Sequence, residues 1–216
     1  MTVSRETSSA NVSRETLAAI SGVDVSRETF GRLAAYVDLL LAENEQQNLI
    51  AATSVPDVWT RHIADSLQLA SLAPTAKSWL DIGSGPGLPG LVLAIATGAS
   101  TLLVEPRRLR TAFLERMVAT LDLRDVRIVT ATLAAVKPAQ FDAITARAVA
   151  SLDKLLMMTR PFSHPNTVLV LPKGRSAAEE VETARRTWQG RFEIVPSRTD
   201  ASAGIVVARD VRRRGN

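Results

Sequence analysis

The chain has no cysteine and only two histidines, and no apolar run approaches the length of a membrane span. Each absence removes a class of protein. Without cysteine there is no disulfide framework, and with two histidines a structural zinc site is excluded. The same lack fits a reducing cytoplasm, where we expect the chain to work. The polar N-terminus lacks the apolar core of a signal peptide, so no membrane partner is expected. No staple is needed either. At 216 residues, 46% of them hydrophobic, one ordinary domain with a modest appendage can bury roughly 70% of its unfolded surface.

Lysine is scarce too: of 26 basic residues only Lys77, Lys137, Lys154 and Lys173 are not arginine, and the net charge is +4. Arginine presents a planar fork to phosphates and a face that stacks on bases, which suits a polyanionic partner. Arginine-rich codon usage in a GC-rich genome gives the same bias, and composition alone does not separate the two.

What is present in abundance is glycine, in one place. Residues 79–90 read Trp-Leu-Asp-Ile-Gly-Ser-Gly-Pro-Gly-Leu-Pro-Gly, a short apolar strand followed by Gly83, Gly85, Gly87 and Gly90. Glycine lets a backbone turn sharply and approach a ligand closely. Between a strand and a helix, such a loop binds nucleotide-like molecules. Asp81-x-Gly83-x-Gly85-x-Gly87 is the pattern that opens S-adenosylmethionine sites. The stretch 85–90 also satisfies Gly-x-Gly-x-x-Gly, so a dinucleotide site is the rival. Two prolines inside that match and an aspartate ahead of it weigh against the rival.

Val-Ser-Arg-Glu-Thr occurs three times, at 3–7, 12–16 and 25–29. The spacing is irregular, and nothing apolar separates the first two copies. Residues 1–23 are therefore expected to be a disordered tail. The pentapeptide can be encoded by GTT-TCA-CGT-GAA-ACN, which apart from its last base is its own reverse complement. That palindrome resembles the centromere-like sites of bacterial chromosome-partition proteins. The tail then reads as translated binding-site DNA, with little role for the peptide.

Apolar residues at Phe30, Leu33, Ala34, Val37, Leu40 and Leu41 predict a helix over 27–46, with Ser26 as N-cap. A second helix follows Ser54, burying Val58, Trp59, Ile63 and Leu67. Residues 24–75 thus form a helical cap, and 76–216 a sheet domain. Strands are expected at 78–82, 100–104, 126–130, 141–146 and 166–171, alternating with helices near 88–97, 107–121, 151–158 and 177–188. Alternation of this kind implies an α/β fold with a mostly parallel sheet. Runs at 192–196 and 204–209 have no helix between them and should close one edge as an antiparallel pair, typical of methyltransferase sheets.

Ligands of open α/β sheets sit beyond the carboxyl ends of the strands. Glu105 ends the second strand, where a carboxylate can accept both hydroxyls of a ribose. The third ends near Thr130, so Ala131 to Ala134 should border an adenine. Asp81 either orients the glycine loop or caps nearby backbone amides.

Several segments together closely resemble the RsmG (GidB) family: Asn48-Leu49-Ile50, Arg61-His62-Ile63-Ala64-Asp65-Ser66, Asp81 to Gly90, Ala146 to Leu152, and Lys173-Gly174. The resemblance runs from about residue 30 to the end. It implies a Rossmann-like class I S-adenosylmethionine-dependent fold that methylates N-7 of a guanine, guanine 527, in 16S ribosomal RNA. It implies that Gly83, Ser84, Gly85, Gly87, Leu88, Glu105, Leu133, Ala134 and Arg147 hold the cofactor. Glu105 stands where many relatives have aspartate. Ala134 stands where the family often has an acid, so only a backbone contact survives there.

Guanine N-7 carries an in-plane lone pair and no proton, so no general base is expected. Positioning is the protein's task. Arg147 and Lys173 are candidates for holding the guanine edge or its phosphate, with contact favouring O-6. His62 and Asp65 read either as a wall of the RNA-facing cleft or as a helix-docking network of buried polar groups. Asn48, Arg61, Arg107 and Arg108 are candidate RNA contacts; a solvated helix face is the ordinary explanation for the last two. Naked 16S RNA and the small ribosomal subunit are both possible partners, and a monomer is favoured. Two other functions stay open: a nicotinamide-dependent oxidoreductase, and a noncatalytic ribosome-assembly factor with the same fold.

Overall fold

The computed structural model describes residues 12–215. Seven strands, β1 (Ser78–Ile82), β2 (Ser100–Val104), β3 (Val126–Val129), β4 (Phe141–Ala146), β5 (Ser163–Lys173), β6 (Trp188–Pro196) and β7 (Gly204–Arg213), make one sheet. Their order is β3-β2-β1-β4-β5-β7-β6. The first five pair in parallel, while β7 runs antiparallel to both β5 and β6. The closing antiparallel pair is thus where the sequence placed it.

Helices α2 (Arg27–Gln47), α4 (Gly90–Thr97) and α5 (Arg108–Thr120) cover one face, with Leu33, Leu91 and Phe113 fully buried in a shared core. On the other face lie α6 (Leu152–Thr159) and α7 (Ala177–Thr187), packed through Leu155, Val181 and Ala184 against Leu80 and Ile144. A sheet with apolar side chains on both faces needs both layers.

The expected disorder of 1–23 is corrected for its second half. Helix α1 (Arg14–Ser21) forms there, and Leu17 is fully buried. Burying one leucine is worth roughly 1.5–3 kcal/mol, and the helix is capped at both ends. The Ser13 side chain accepts from Thr16 N–H at 3.1 Å, and Gly22 turns left-handed with its N–H on Ala18 C=O. The next copy of the pentapeptide repeats the device, with Ser26 accepting from Thr29 N–H at 3.0 Å. The second and third copies therefore open helices: Ser26 caps as its position implied, while Ser13 caps against the expectation of little role for the tail. The first copy lies outside the described residues.

The helix after Ser54 is not a regular α-helix. Trp59–Ala64 is a π-helical stretch, followed by α3 (Asp65–Leu67) and a 3-10 turn at Gln68–Leu72. Val58, Trp59, Ile63 and Leu67 are buried as their spacing implied. The wider π turn changes which neighbours share a face, with consequences for His62 and Asp65.

Candidate active site

Strand register builds the site. Ile82 pairs with Val104 and with Ala146, and Val104 pairs with Val129. The residues that follow, Gly83, Glu105 and Arg147, therefore leave the sheet side by side at its carboxyl edge. This is also where the strand order reverses, between β1 and β4, the place where open α/β sheets bind ligands.

The glycine loop is held from below and from the side. Gly83 N–H and Ser84 N–H both reach Val104 C=O, at 2.8 and 3.2 Å. Ser84 is fully buried, and its hydroxyl donates to Asp81 C=O. Gly83 has φ +69°, and a Cβ there would meet Val149 Cγ2 at 2.7 Å. Glycine is thus required twice over, by conformation and by contact. Gly87 packs on Leu91 and Leu114, so it shapes the turn without lining the cavity.

Glu105 is 3% exposed. One carboxylate oxygen accepts from Gly85 N–H and the other from Arg107 N–H, each at 2.9 Å. It fastens the glycine loop to the start of α5, and each oxygen keeps a second lone pair for a hydroxyl. Asp81 takes the capping role: it is fully buried and accepts from Gly90 N–H at 3.1 Å. Its other oxygen has no partner. Burial pushes its carboxyl up to about 6, against the nearby Ser84 hydroxyl and the Gly90 hydrogen bond that pull it down.

Two cavities meet at Arg147. The first, about 620 Å³, is lined by Gly83, Ser84, Gly85, Leu88, Glu105, Leu133 and Arg107, within the roughly 300–1,000 Å³ usual for small-molecule sites. The second, about 1080 Å³, is lined by Arg61, Asp65, Lys173 and Thr199. Arg147, Ala148 and Val149 border both. Ala134 is exposed in the short turn Leu133–Ala135 and lines neither.

Arg147 Nη1 lies 3.4 Å from Asp65 Oδ2. Asp65 Oδ1 accepts from Thr199 Oγ1 at 2.7 Å and Gln68 Nε2 at 3.0 Å. His62 diverges from Asp65. Its Nε2 pairs with Ser54 Oγ at 2.8 Å, and its Nδ1 is buried without a partner. Burial, then the charges of Arg147 and Arg61, push its imidazole down to about 4. In an α-helix the two side chains would share a face, but the π turn through Ala64 separates them. His62 thus bonds Ser54, while Asp65 lines the larger cavity.

Lys173 also faces the cleft, but its ammonium is engaged. It donates to Ala150 C=O at 2.8 Å and pairs with Glu180 Oε2 at 2.9 Å. Arg61, Arg107 and Arg108 are exposed, the first two at the rims of the larger and smaller cavity respectively. Asn48 is exposed in a left-handed C-cap of α2, φ 50°, and lines neither. Tyr36, which no motif or spacing singles out, donates its hydroxyl to Pro86 C=O at 2.9 Å. Burial pushes its phenol far up, so it stays a donor.

The topology and the cavity at β1 and β4 define the class I methyltransferases. The same architecture appears, as fold alone, in the crystal structure of M. jannaschii TYW2 in complex with AdoMet. That structure is 15% identical with a TM-score of 0.53, covering 68% of this chain and 74% of that one. It appears again in the methyltransferase yhhF from Escherichia coli, 19% identical with a TM-score of 0.52, covering 68% and 87%. The chain belongs to the rRNA small subunit methyltransferase G (GidB) family, whose pattern matches residues 30–203. It is 44% identical over 189 residues to ribosomal RNA small subunit methyltransferase G of Novosphingobium aromaticivorans, covering 86% of this chain and 82% of that protein. To the protein of the same name from Zymomonas mobilis it is 45% identical over 195 residues, covering 86% and 88%. It is an S-adenosylmethionine-dependent rRNA methyltransferase.

Proposed function

We propose that the smaller cavity holds S-adenosylmethionine and the larger admits a flipped guanine of 16S ribosomal RNA, whose N-7 receives the methyl group. The observation that carries this reading is the register that sets Gly83, Glu105 and Arg147 side by side at the carboxyl edge of the sheet, with Arg147 on the wall the two cavities share. The small cavity suits the cofactor's parts. Glu105 offers lone pairs to ribose hydroxyls, Leu133 an apolar floor to adenine, and the bare Gly83 backbone with Leu88 a close approach to the methionine end. When bound, S-adenosylmethionine supplies an electrophilic methyl on a sulfonium.

This chain's residues then need to orient, not to deprotonate. The N-7 lone pair attacks in line without a base, and near-attack positioning alone can contribute roughly 7–11 kcal/mol. Arg147, steadied by Asp65, points a guanidinium at the shared wall, where it can donate to guanine O-6 and leave N-7 free. Arg61 and Arg107 take phosphates at the two rims. The activity is cytoplasmic, where the small subunit is built, and the chain acts as a monomer.

Calorimetry with S-adenosylhomocysteine and with NADH tests the cofactor. Transfer of labelled methyl to small-subunit RNA, naked or assembled, tests the reaction. Tight NADH binding alone would favour an oxidoreductase. Homocysteine-nucleoside binding with no transfer to either RNA form would leave a noncatalytic assembly factor.

A further inference from the structure

Glu180 sits on α7, outside every element that builds the cofactor loop, yet it is wired to the wall between the two cavities. Its Oε2 accepts from Leu152 N–H at 2.6 Å and from Lys173 Nζ at 2.9 Å. Its Oε1 accepts from Ser176 Oγ at 2.9 Å. Lys173 in turn donates to Ala150 C=O. One carboxylate and one ammonium thus grip the chain at two points, two residues apart, just after Arg147.

The gripped segment, Arg147–Ser151, has no regular secondary structure, and Ala148 stands in the left-handed region at φ 56°. A non-glycine residue held there needs its surroundings to hold it. At its other end Arg147 pairs with Asp65. Between these anchors Val149 lies directly over Gly83, at the contact distance that forbids a Cβ there. Where this strap sits decides both where the Arg147 guanidinium points and how much room the methionine end of the cofactor has over Gly83. Only 9% of the Lys173 side chain and 22% of that of Glu180 are exposed, so the grip is shielded from competing water.

We propose that Glu180 is a positioning residue of the methyl-transfer reaction, acting through Lys173 and the Leu152 amide to fix the Arg147–Ser151 strap. Lys173 then serves the site by holding the strap, not by touching the guanine. Burial works against the Glu180 carboxylate, and the Lys173, Leu152 and Ser176 hydrogen bonds overcome it, holding its pKa below the usual value. The Glu180 carboxylate is therefore ionised at neutral pH.

The proposal rests on the methyltransferase reading, and the test separates the two. Steady-state kinetics on small-subunit RNA are measured for the wild type, Glu180→Gln, Lys173→Met and the double variant, with Ser176→Ala as a milder change at the exposed buttress. Wild-type protein without transfer would overturn the reading itself. With wild-type transfer intact, Glu180→Gln should lower kcat about a hundredfold, the scale of a small misplacement, with KM for RNA within about threefold. The double variant should be no worse than either single one, because the two residues act as a unit. Amide hydrogen exchange should quicken at Val149–Leu152 in Glu180→Gln and Ser176→Ala while β1 and β4 stay protected. Losses that multiply in the double variant, or unchanged exchange in the strap, would overturn the proposal. So would a fall in melting temperature with kcat unaltered.

Discussion

Tyr36 on α2 hydrogen-bonds the carbonyl of Pro86 in the glycine loop at 2.9 Å, and the contact is completely buried. Helix α2 thereby braces the glycine loop. Tyr36→Phe leaves the Pro86 carbonyl buried and unpaired, a cost of about 1–3 kcal/mol. Chemical denaturation should register that loss, and calorimetry should show weaker S-adenosylhomocysteine binding. A variant with unchanged affinity would mean the loop holds its shape without α2.

Gly83 and Gly98 give a matched comparison. Both have left-handed φ, +69° and +66°, but a Cβ at Gly98 meets nothing within 4 Å. Gly98→Ala should cost only the backbone penalty, about 1–2 kcal/mol of stability, with cofactor affinity intact. Gly83→Ala adds the collision with Val149 and should weaken S-adenosylhomocysteine binding about tenfold or more, since 1.4 kcal/mol is tenfold. Equal effects of the two on binding would contradict the site.

Asp81 and His62 pull stability in opposite directions over the same pH range. Asp81 has its carboxyl raised from 3.8 to about 6 by burial. Its contribution is present below pH 4 and disappears as pH rises through about 6. His62 is lowered from 6.5 to about 4. The unfolded chain takes up that proton first, so its contribution is present above pH 6.5 and disappears as pH falls toward 4. Asp81→Asn should expose the histidine slope, with stability falling on acidification from pH 6.5 to 4. His62→Gln should expose the opposite slope, worth about 3 kcal/mol for a two-unit shift of a fully buried group. Urea midpoints measured across this range decide the matter.

Arg61 and Arg107 stand exposed at the rims of the two cavities. If they hold phosphates, replacing either with alanine should weaken RNA binding and reduce the salt slope by about one unit each, with cofactor affinity unaltered in Arg61→Ala. Filter binding at several salt concentrations reads the slope directly. An unchanged slope would return these arginines to ordinary solvated positions.

How far the site was legible depends on how local each cause is. Gly83 and Glu105 could be read because strand ends and tight turns announce themselves in sequence, and register then aligned them with Arg147. The mostly parallel sheet and its antiparallel edge followed from alternation and from the missing last helix. The separation of His62 from Asp65 was not legible, because a π turn leaves no periodic mark that distinguishes it from an α-helix over six residues. Tyr36 and Glu180 act on Pro86 and Leu152, partners distant in sequence, and no spacing rule links them. Of the repeat's serine caps, Ser26 was legible because a long apolar stripe follows it, whereas Ser13 opens a helix of only 8 residues whose one buried leucine, Leu17, sets up no period.

The most direct measurement is made on the RNA. Small-subunit RNA from cells with and without this protein is treated to cleave at N-7-methylguanosine, and the cut positions are mapped. The account predicts one guanine of 16S RNA cut only when the protein is present, restored by the wild type and not by Gly83→Ala. Identical cleavage patterns in the two cell lines would contradict it.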